Sequence, residues 1–347
     1  MREFNLNTIV RSNVKSLRPY SSARDEFKEI TSDMIFLDAN ENPFDNNVNR
    51  YPDPKQNKVK AQLSKLKDVS VDNLLLGNGS DEVLDFIFRA FCEPNHDSVI
   101  TLPPTYGMYD VLANINAVDV IKIQLDSNFE PKVDEILNAT TNTTKLLFLC
   151  SPNNPTANSF NVNSIERLIT SFTGIVVIDE AYIDFSYEES WIRKLNKFPN
   201  LIITQTLSKA YGMAGIRLGI CYASKAIIAI LNKIKPPYNV NELTQLKALE
   251  RLMKPSEVSE EIQKIIEQRN WLMSELKTIP FVEVAYLSDA NFILAKVDDA
   301  TARYSQLIEK GIVVRNRTTQ VLCENCLRFT VGSEQENIKL ISILKGL

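Results

Sequence analysis

The sequence predicts an α/β fold: a large domain with a mostly parallel central sheet, joined to a smaller α+β domain. Short runs of Val, Ile and Leu recur through the first two thirds of the chain, separated by helix-like stretches. The runs are apolar throughout rather than alternating, as strands covered on both faces must be. At 347 residues the chain is also long for one compact core, which favours about two domains.

The candidate strands of the large domain are MIFLD (34–38), NLLL (73–76), SVITL from Ser98, DVIKI (119–123), KLLFLC (145–150), GIVVID (174–179), NLIIT (200–204) and LGICYA (218–223). Helical patterns fall between them, such as SDEVLDFIFRAFC (80–92) and NSIERLITSF (163–172). The texture changes at KPP (235–237). Long mixed helices follow to about residue 278, then strands VEVAY (282–286) and NFILAKV (291–297), a helix near 301–310, strands GIVVR (311–315) and CLRFTV from Cys326, and a last helix. The expected division is 42–236 for the large domain, and 1–41 with 237–347 for the small one. The first 40 residues hold too little apolar content to fold alone and are expected to pack against the small domain.

Composition excludes several function classes. A net charge of -4 argues against a nucleic-acid surface, which needs a basic excess. No run approaches the roughly 18 apolar residues of a membrane span, and the first residues hold no apolar signal region, so the expectation is a cytoplasmic protein. The five cysteines fit reduced thiols better than a disulfide framework. Cys323 and Cys326 form a C-x-x-C, but a zinc site wants a second ligand pair, and His96 is the single histidine. No metal is expected, and Cys326 reads as the opening of a buried strand. Without further histidines, acid–base chemistry falls to Lys, Asp, Tyr or a cofactor.

Four segments carry chemistry. In TLSKAYGMAGIRLG (206–219), Lys209 follows a buried strand and Arg217 comes eight residues later. A desolvated lysine amine is what Schiff-base chemistry requires; alone, Lys209 reads equally as a surface lysine at a strand end. In GIVVIDEAYIDF (174–185), Asp179 ends an apolar strand and Tyr182 follows three residues on. A carboxylate there can keep a pyridine nitrogen protonated, and the tyrosine can reach the ring's phenolic oxygen; alone, Asp179 reads as a cap. SPNNPT (151–156) follows a strand, where ligands sit in α/β sheets and an Asn amide can donate to that oxygen, though Asn-Pro alone means a turn. LGNGSDE (76–82) links a strand to a helix, freeing N–H groups as a phosphate cradle, and is neither a Walker A loop nor a dinucleotide fingerprint. Together, at successive strand ends, they predict pyridoxal phosphate (PLP) as cofactor.

LDANENP (37–43), RYPDP (50–54), GNGSDE (77–82), PPTYGMY (103–109), SPNNPT, DEAYIDF and TLSKAYGMAGIRLG span nearly the whole chain. With them the sequence resembles the fold-type-I PLP-dependent transferases, and within these the histidinol-phosphate aminotransferase family. The resemblance implies that Lys209 carries the cofactor and shuttles the proton, and that Asp179 pairs with the pyridine nitrogen. It gives Asn154 and Tyr182 to the phenolic oxygen, Tyr106 to the ring face, and Ser80, Asp81, Thr206, Ser208 and Arg217 to the phosphate. Tyr51 resembles a residue that reaches the cofactor phosphate of the partner subunit, which implies a homodimer. Arg328, Arg315 and Tyr20 match substrate-side residues. The implied substrates are L-histidinol phosphate and glutamate/2-oxoglutarate. An aromatic-amino-acid aminotransferase or a threonine-phosphate decarboxylase would share the cofactor motifs. One departure is Ala157, where the family commonly has glycine.

Overall fold

The computed structural model describes residues 4–18 and 34–347. Its main sheet has seven strands: β1 (Leu74–Asn78), β2 (Ser98–Thr101), β3 (Asp119–Lys122), β4 (Thr144–Cys150), β5 (Ile175–Asp179), β6 (Leu201–Thr206) and β7 (Leu218–Ala223), in the order β1-β7-β6-β5-β4-β2-β3. The neighbours from β3 to β6 pair parallel, and β7 runs antiparallel to both β6 and β1. Six strands therefore point the same way. Their C-terminal ends, and the start of β7, form one rim.

The continuous apolar runs feed two cores, one on each face. Leu74, Leu76, Leu147, Leu149, Val176 and Ile178 enter one cluster; Leu75, Leu146, Phe148, Ile175 and Val177 enter the other. Each such side chain, fully buried, contributes about 1.5–3 kcal/mol. The covering helices include α1 (Leu6–Ile9), α2 (Ser12–Ser16), α3 (Asn57–Lys67), α4 (Ser80–Phe91), α5 (Met108–Ile115), α6 (Val133–Asn138), α7 (Val162–Ser171), α8 (Lys225–Ile234) and α9 (Glu242–Leu252). The amphipathic α4 buries Val83, Leu84, Ile87 and Phe91, with Asp81 and Glu82 in its first turn and Arg89 in its last, as the helix dipole favours.

A second sheet, β10-β11-β9-β8, is antiparallel and made of β8 (Val282–Ala285), β9 (Phe292–Val297), β10 (Arg315–Asn316) and β11 (Cys326–Thr330). One face packs Ile293, Leu327 and Phe329 under α10 (Pro255–Leu276), α11 (Ala300–Glu309) and α12 (Glu334–Lys345). The other face sends Leu294 and Cys326 into the main core, so it looks toward the main sheet. A capping box between Ser333 and Glu336 starts α12.

Three expectations are corrected. Met34–Asp38 forms no strand: Ile35 and Leu37 stay 84% and 87% exposed, with no sheet edge to join. The strand expected over 311–315 gives way to the two residues of β10, because the four residues 311–314 make no ladder bonds. Residues 6–16 rest on the main domain rather than the small one. Ile9, Val10 and Val14 join the core beneath α4 and α8, the Arg11 amide bonds the Ala90 carbonyl (3.0 Å), and Lys233 bonds the Lys15 carbonyl (2.8 Å).

Candidate active site

The rim gathers side chains that are far apart in sequence. Ser80, Asp81, Tyr106, Asn154, Asp179, Tyr182, Thr206, Ser208, Lys209 and Arg217 line one cleft of about 130 Å³, with Cys150, Ala181 and Ala214. Asp179 ends β5, Thr206 ends β6, Asn154 follows β4, Ser80 begins the helix after β1, and Arg217 precedes β7. The topology brings them together: each follows or precedes a strand at the same edge.

At one end of the cleft the backbone forms an anion cradle. Gly79 is the N-cap of α4 with φ +84, a conformation glycine adopts readily, and it offers no side chain to cap the first amides. Arg217 leans over it; a Cβ on Gly79 would lie 2.7 Å from Arg217 Nη2. Gly219 passes so close that a Cβ there would sit 2.3 Å from the Ser80 nitrogen. Thr206 Oγ1 accepts from the Ser208 amide (3.1 Å) and holds that loop in place. Free amides at a helix start, two hydroxyls and a guanidinium are a donor set for a phosphate.

At the other end lies Asp179, 3% exposed. Tyr109 donates to its Oδ2 (2.9 Å) and the Ala181 amide to its Oδ1 (3.2 Å). Burial pushes its carboxyl up to about 6 against those hydrogen bonds. Its neighbour Glu180 points to the opposite face of the sheet, where Ser190 (2.6 Å), the Trp191 amide (2.7 Å) and Gln205 (2.9 Å) satisfy it. The strand's alternation thus gives two adjacent buried carboxylates different work: Glu180 ties down a loop, while Asp179 faces the cleft.

Lys209 is partly buried beside Tyr182, its Nζ 5.7 Å from the ring centre. Burial lowers its pKa, Arg328 and Arg217 lower it further, and Asp179 opposes them. A lysine so placed keeps more of its amine neutral. Burial raises the Tyr182 hydroxyl, with Cys150 adding to the shift and Arg328 opposing it. Tyr106 donates to Asp81 Oδ1 (3.0 Å) and meets Tyr109 edge-on at 5.6 Å.

The second sheet contributes arginines. Arg328 lies on the β11 face opposite Leu327 and Phe329, donates to Asn154 Oδ1, and stands 5.0 Å from the Phe292 ring. Arg315 pairs directly across from it but is exposed. Arg317, half-buried, follows two residues on; its Nε and that of Arg328 are buried without a partner among the described residues. Burial and then Arg317 push Arg328 down to about 10. Crowded guanidiniums with spare donors suit an anion.

Tyr51 does not line this cleft. It stacks on Tyr238 at 4.5 Å, is 51% exposed, and borders a separate groove with Asn40 and Glu41. Tyr20 lies outside the described residues. Two residues with roles in this geometry were not singled out in the sequence: Tyr109, three residues after Tyr106 on the same motif, and Arg317, one position beyond the recognised Arg315-Asn316. Cys323 and Cys326 are both buried free thiols, and Cys326 opens β11 opposite Lys296.

Such a rim defines a class. The chain matches the family described as aminotransferase class I and II over residues 25–344, and it belongs to that family. Within it the chain stands among proteins named histidinol-phosphate aminotransferase: one from Flavobacterium johnsoniae is 65% identical over 348 residues, covering 100% of both chains. Among solved structures, the histidinol-phosphate aminotransferase from Clostridium acetobutylicum superposes with a TM-score of 0.80 at 24% identity, over 86% of this chain and 91% of that one. The Sinorhizobium meliloti histidinol-phosphate aminotransferase, solved in complex with pyridoxal-5'-phosphate, gives 0.79 at 22% identity, over 86% and 82%. These structural likenesses establish a shared fold-type-I architecture.

Proposed function

We propose that the chain holds pyridoxal phosphate at this rim and moves the amino group of L-histidinol phosphate to 2-oxoglutarate, giving imidazole-acetol phosphate and glutamate. The observation that carries the reading is the spacing of a phosphate cradle and a buried carboxylate at opposite ends of one cleft, with Lys209 beside it. The relative of 65% identity supports the substrate choice.

The residues present fit the cofactor. The amides at the start of α4, Ser80, Thr206, Ser208 and Arg217 would hold its phosphate, with Asp81 placed by Tyr106. Tyr106 would cover the ring, Asn154 and Tyr182 would reach the phenolic oxygen, and Asp179 would face the pyridine nitrogen. Bound PLP supplies a carbonyl for covalent attachment to an amine and a ring that accepts electrons from the substrate's α-carbon. Lys209 would provide the attaching amine, and its Nζ, when free, would take the α-proton. Its lowered pKa leaves it fit to accept that proton. Asp179, steadied by Tyr109, would face the ring nitrogen as a carboxylate and hold it protonated. Arg328 and Arg315 take the substrate's phosphate or carboxylate, a dual task suited to planar cations with several donors. Tyr20 would join them from the N-terminal segment.

Tyr51 does not line its own chain's cleft and would serve the partner's phosphate, which makes a homodimer the working form. A cytoplasmic location accords with five free cysteines. Among the described residues no helix is long and apolar enough to cross a membrane.

The test is an amine-donor comparison with 2-oxoglutarate as acceptor. Histidinol phosphate should far exceed histidinol, and Arg328→Ala should lower kcat/KM for histidinol phosphate by about 10- to 150-fold, the loss of one charge-assisted contact. Equal rates for the two donors, or a preference for phenylalanine, would replace this reading with an aromatic-amino-acid aminotransferase.

A further inference from the structure

A second cleft, about 740 Å³ in volume, opens between the start of α3, the turn at Val71–Asn73 and α8. It shares no lining residue with the site at the rim. Among the described residues four lysines line it, Lys55, Lys60, Lys225 and Lys235, against one carboxylate, that of Asp72. The chain as a whole carries a net charge of -4, so this gathering of cations runs against the background.

Three of these lysines are engaged, Lys55 among them. Lys225 pairs with Asp72 at 2.8 Å, and Lys235 donates to the Pro54 carbonyl (3.1 Å) and Asn239 Oδ1 (3.2 Å). Lys60 differs. Its side chain is buried, the residue only 8% exposed, and among the described residues its ammonium has no hydrogen-bond or ion-pair partner. Burial of the rest of the side chain strips water from an ammonium that opens only to the cleft, which is costly unless something pairs with it. Burial, and next the neighbouring Lys235, push its pKa down to about 8; Lys55 adds to this, while Asp53 and Asp72 oppose it. The cost would be offset by an anion in the cleft.

We propose that this cleft is a second anion site, which takes the phosphate group of a small phosphorylated metabolite against Lys60. The choice of phosphate over carboxylate follows from the donors. Planar carboxylates are matched by the forked guanidinium of arginine, whereas ammonium groups act as point charges that can surround a tetrahedral phosphate from several sides. Among the described residues the cleft is lined by lysines and by no arginine. The inference does not depend on which amino donor the enzyme uses.

Calorimetric titration with inorganic phosphate at pH 8 tests it, on protein loaded with pyridoxal phosphate and freed of excess, so that the rim cradle is filled. The Arg328→Ala variant removes the substrate-side anion contact. In that background phosphate should still bind, Lys60→Met should weaken it at least about tenfold, and Lys60→Arg should keep most of it. Burial lowers the Lys60 pKa toward the working pH, so anion binding should also draw protons from the buffer, read as an enthalpy that changes with buffer ionisation heat. If Lys60→Met does not fold, Lys225→Gln at the cleft edge should weaken binding roughly two- to fivefold. No phosphate binding in the Arg328→Ala protein, or binding unchanged by the Lys60 and Lys225 substitutions, or no proton uptake, would overturn the proposal.

Discussion

At the rim of the seven-stranded sheet, side chains from distant segments find partners within one chain: Asp179 with Tyr109, Asp81 with Tyr106, Asn154 with Arg328. Between residues 34 and 53 the chain instead leaves apolar groups in solvent. Ile35, Leu37 and Phe44 are 84%, 87% and 81% exposed, and this stretch has no helix or strand. Of the contacts that order it, Arg50 and the Tyr51 amide on Glu41 fold it on itself, while the Tyr51 ring stacks on Tyr238 and the Asp53 carbonyl accepts from Gln245. Burying three such side chains would contribute about 1.5–3 kcal/mol each. The difference teaches where the molecule ends: topology completes the rim, whereas segment 34–53 calls for a surface outside the single chain, as a homodimer would provide.

The sharpest way to break this comparison is to separate the two regions onto different subunits. Tyr51→Ala and Lys209→Ala should each be nearly inactive. After mixing and subunit exchange, heterodimers hold one intact site of two, so activity should recover to about a quarter of wild type. Heterodimers that form without recovered activity would mean that Tyr51 serves its own chain. A Tyr51→Ala enzyme with near wild-type turnover would contradict its assignment outright.

Asp179→Asn tests the rim alone. Turnover should fall by about 10²–10³-fold, since an amide cannot hold the ring nitrogen protonated. Stability should move the other way in the cofactor-free protein. The folded carboxyl, raised to about 6, lies above the ordinary aspartate value, so its stabilising share is present in acid and is lost as pH rises through about 6. At pH 8 the cofactor-free Asp179→Asn protein should melt no lower than wild type. A lower melting temperature with turnover retained would mean that Asp179 is there for packing.

Ala157 gives the smallest effect. It sits at φ +69, a backbone region that favours glycine, yet its methyl is fully buried near Tyr182 and Phe292. The left-handed backbone costs about 1–2 kcal/mol relative to glycine. Glycine loses about as much through its freer unfolded chain and the missing buried methyl. Ala157→Gly should therefore change stability in denaturant by less than about 1 kcal/mol; a loss of 2 kcal/mol or more would show that the methyl's packing outweighs the strain.

How much was legible follows the same division. Strands β1 to β7 were readable because continuous Val, Ile and Leu runs have nowhere to go but a sheet covered on both sides, and their ends mark the rim. Met34–Asp38 carries a similar apolar run and misled, because apolarity signals that a segment needs covering but not what covers it. Ile9, Val10 and Val14 were too few in sequence to announce a helix pair, and settled on α4 and α8 through tertiary contact. Tyr109 was hidden because it has no strand end of its own; its hydroxyl reaches Asp179 only once α5 packs on β2 and β3 and stacks its ring on Phe148 of β4. Arg317 shows its place only when β10 and β11 are paired.

The account rests most directly on Lys209 as the residue that carries the cofactor. The purified protein should be yellow, and borohydride should bleach it while fixing the cofactor covalently. Peptide mapping should then find the pyridoxyl mass on Lys209 alone, and Lys209→Ala should take up no label under the same treatment. Label on another lysine, or an unchanged borohydride-reducible adduct in Lys209→Ala, would contradict it.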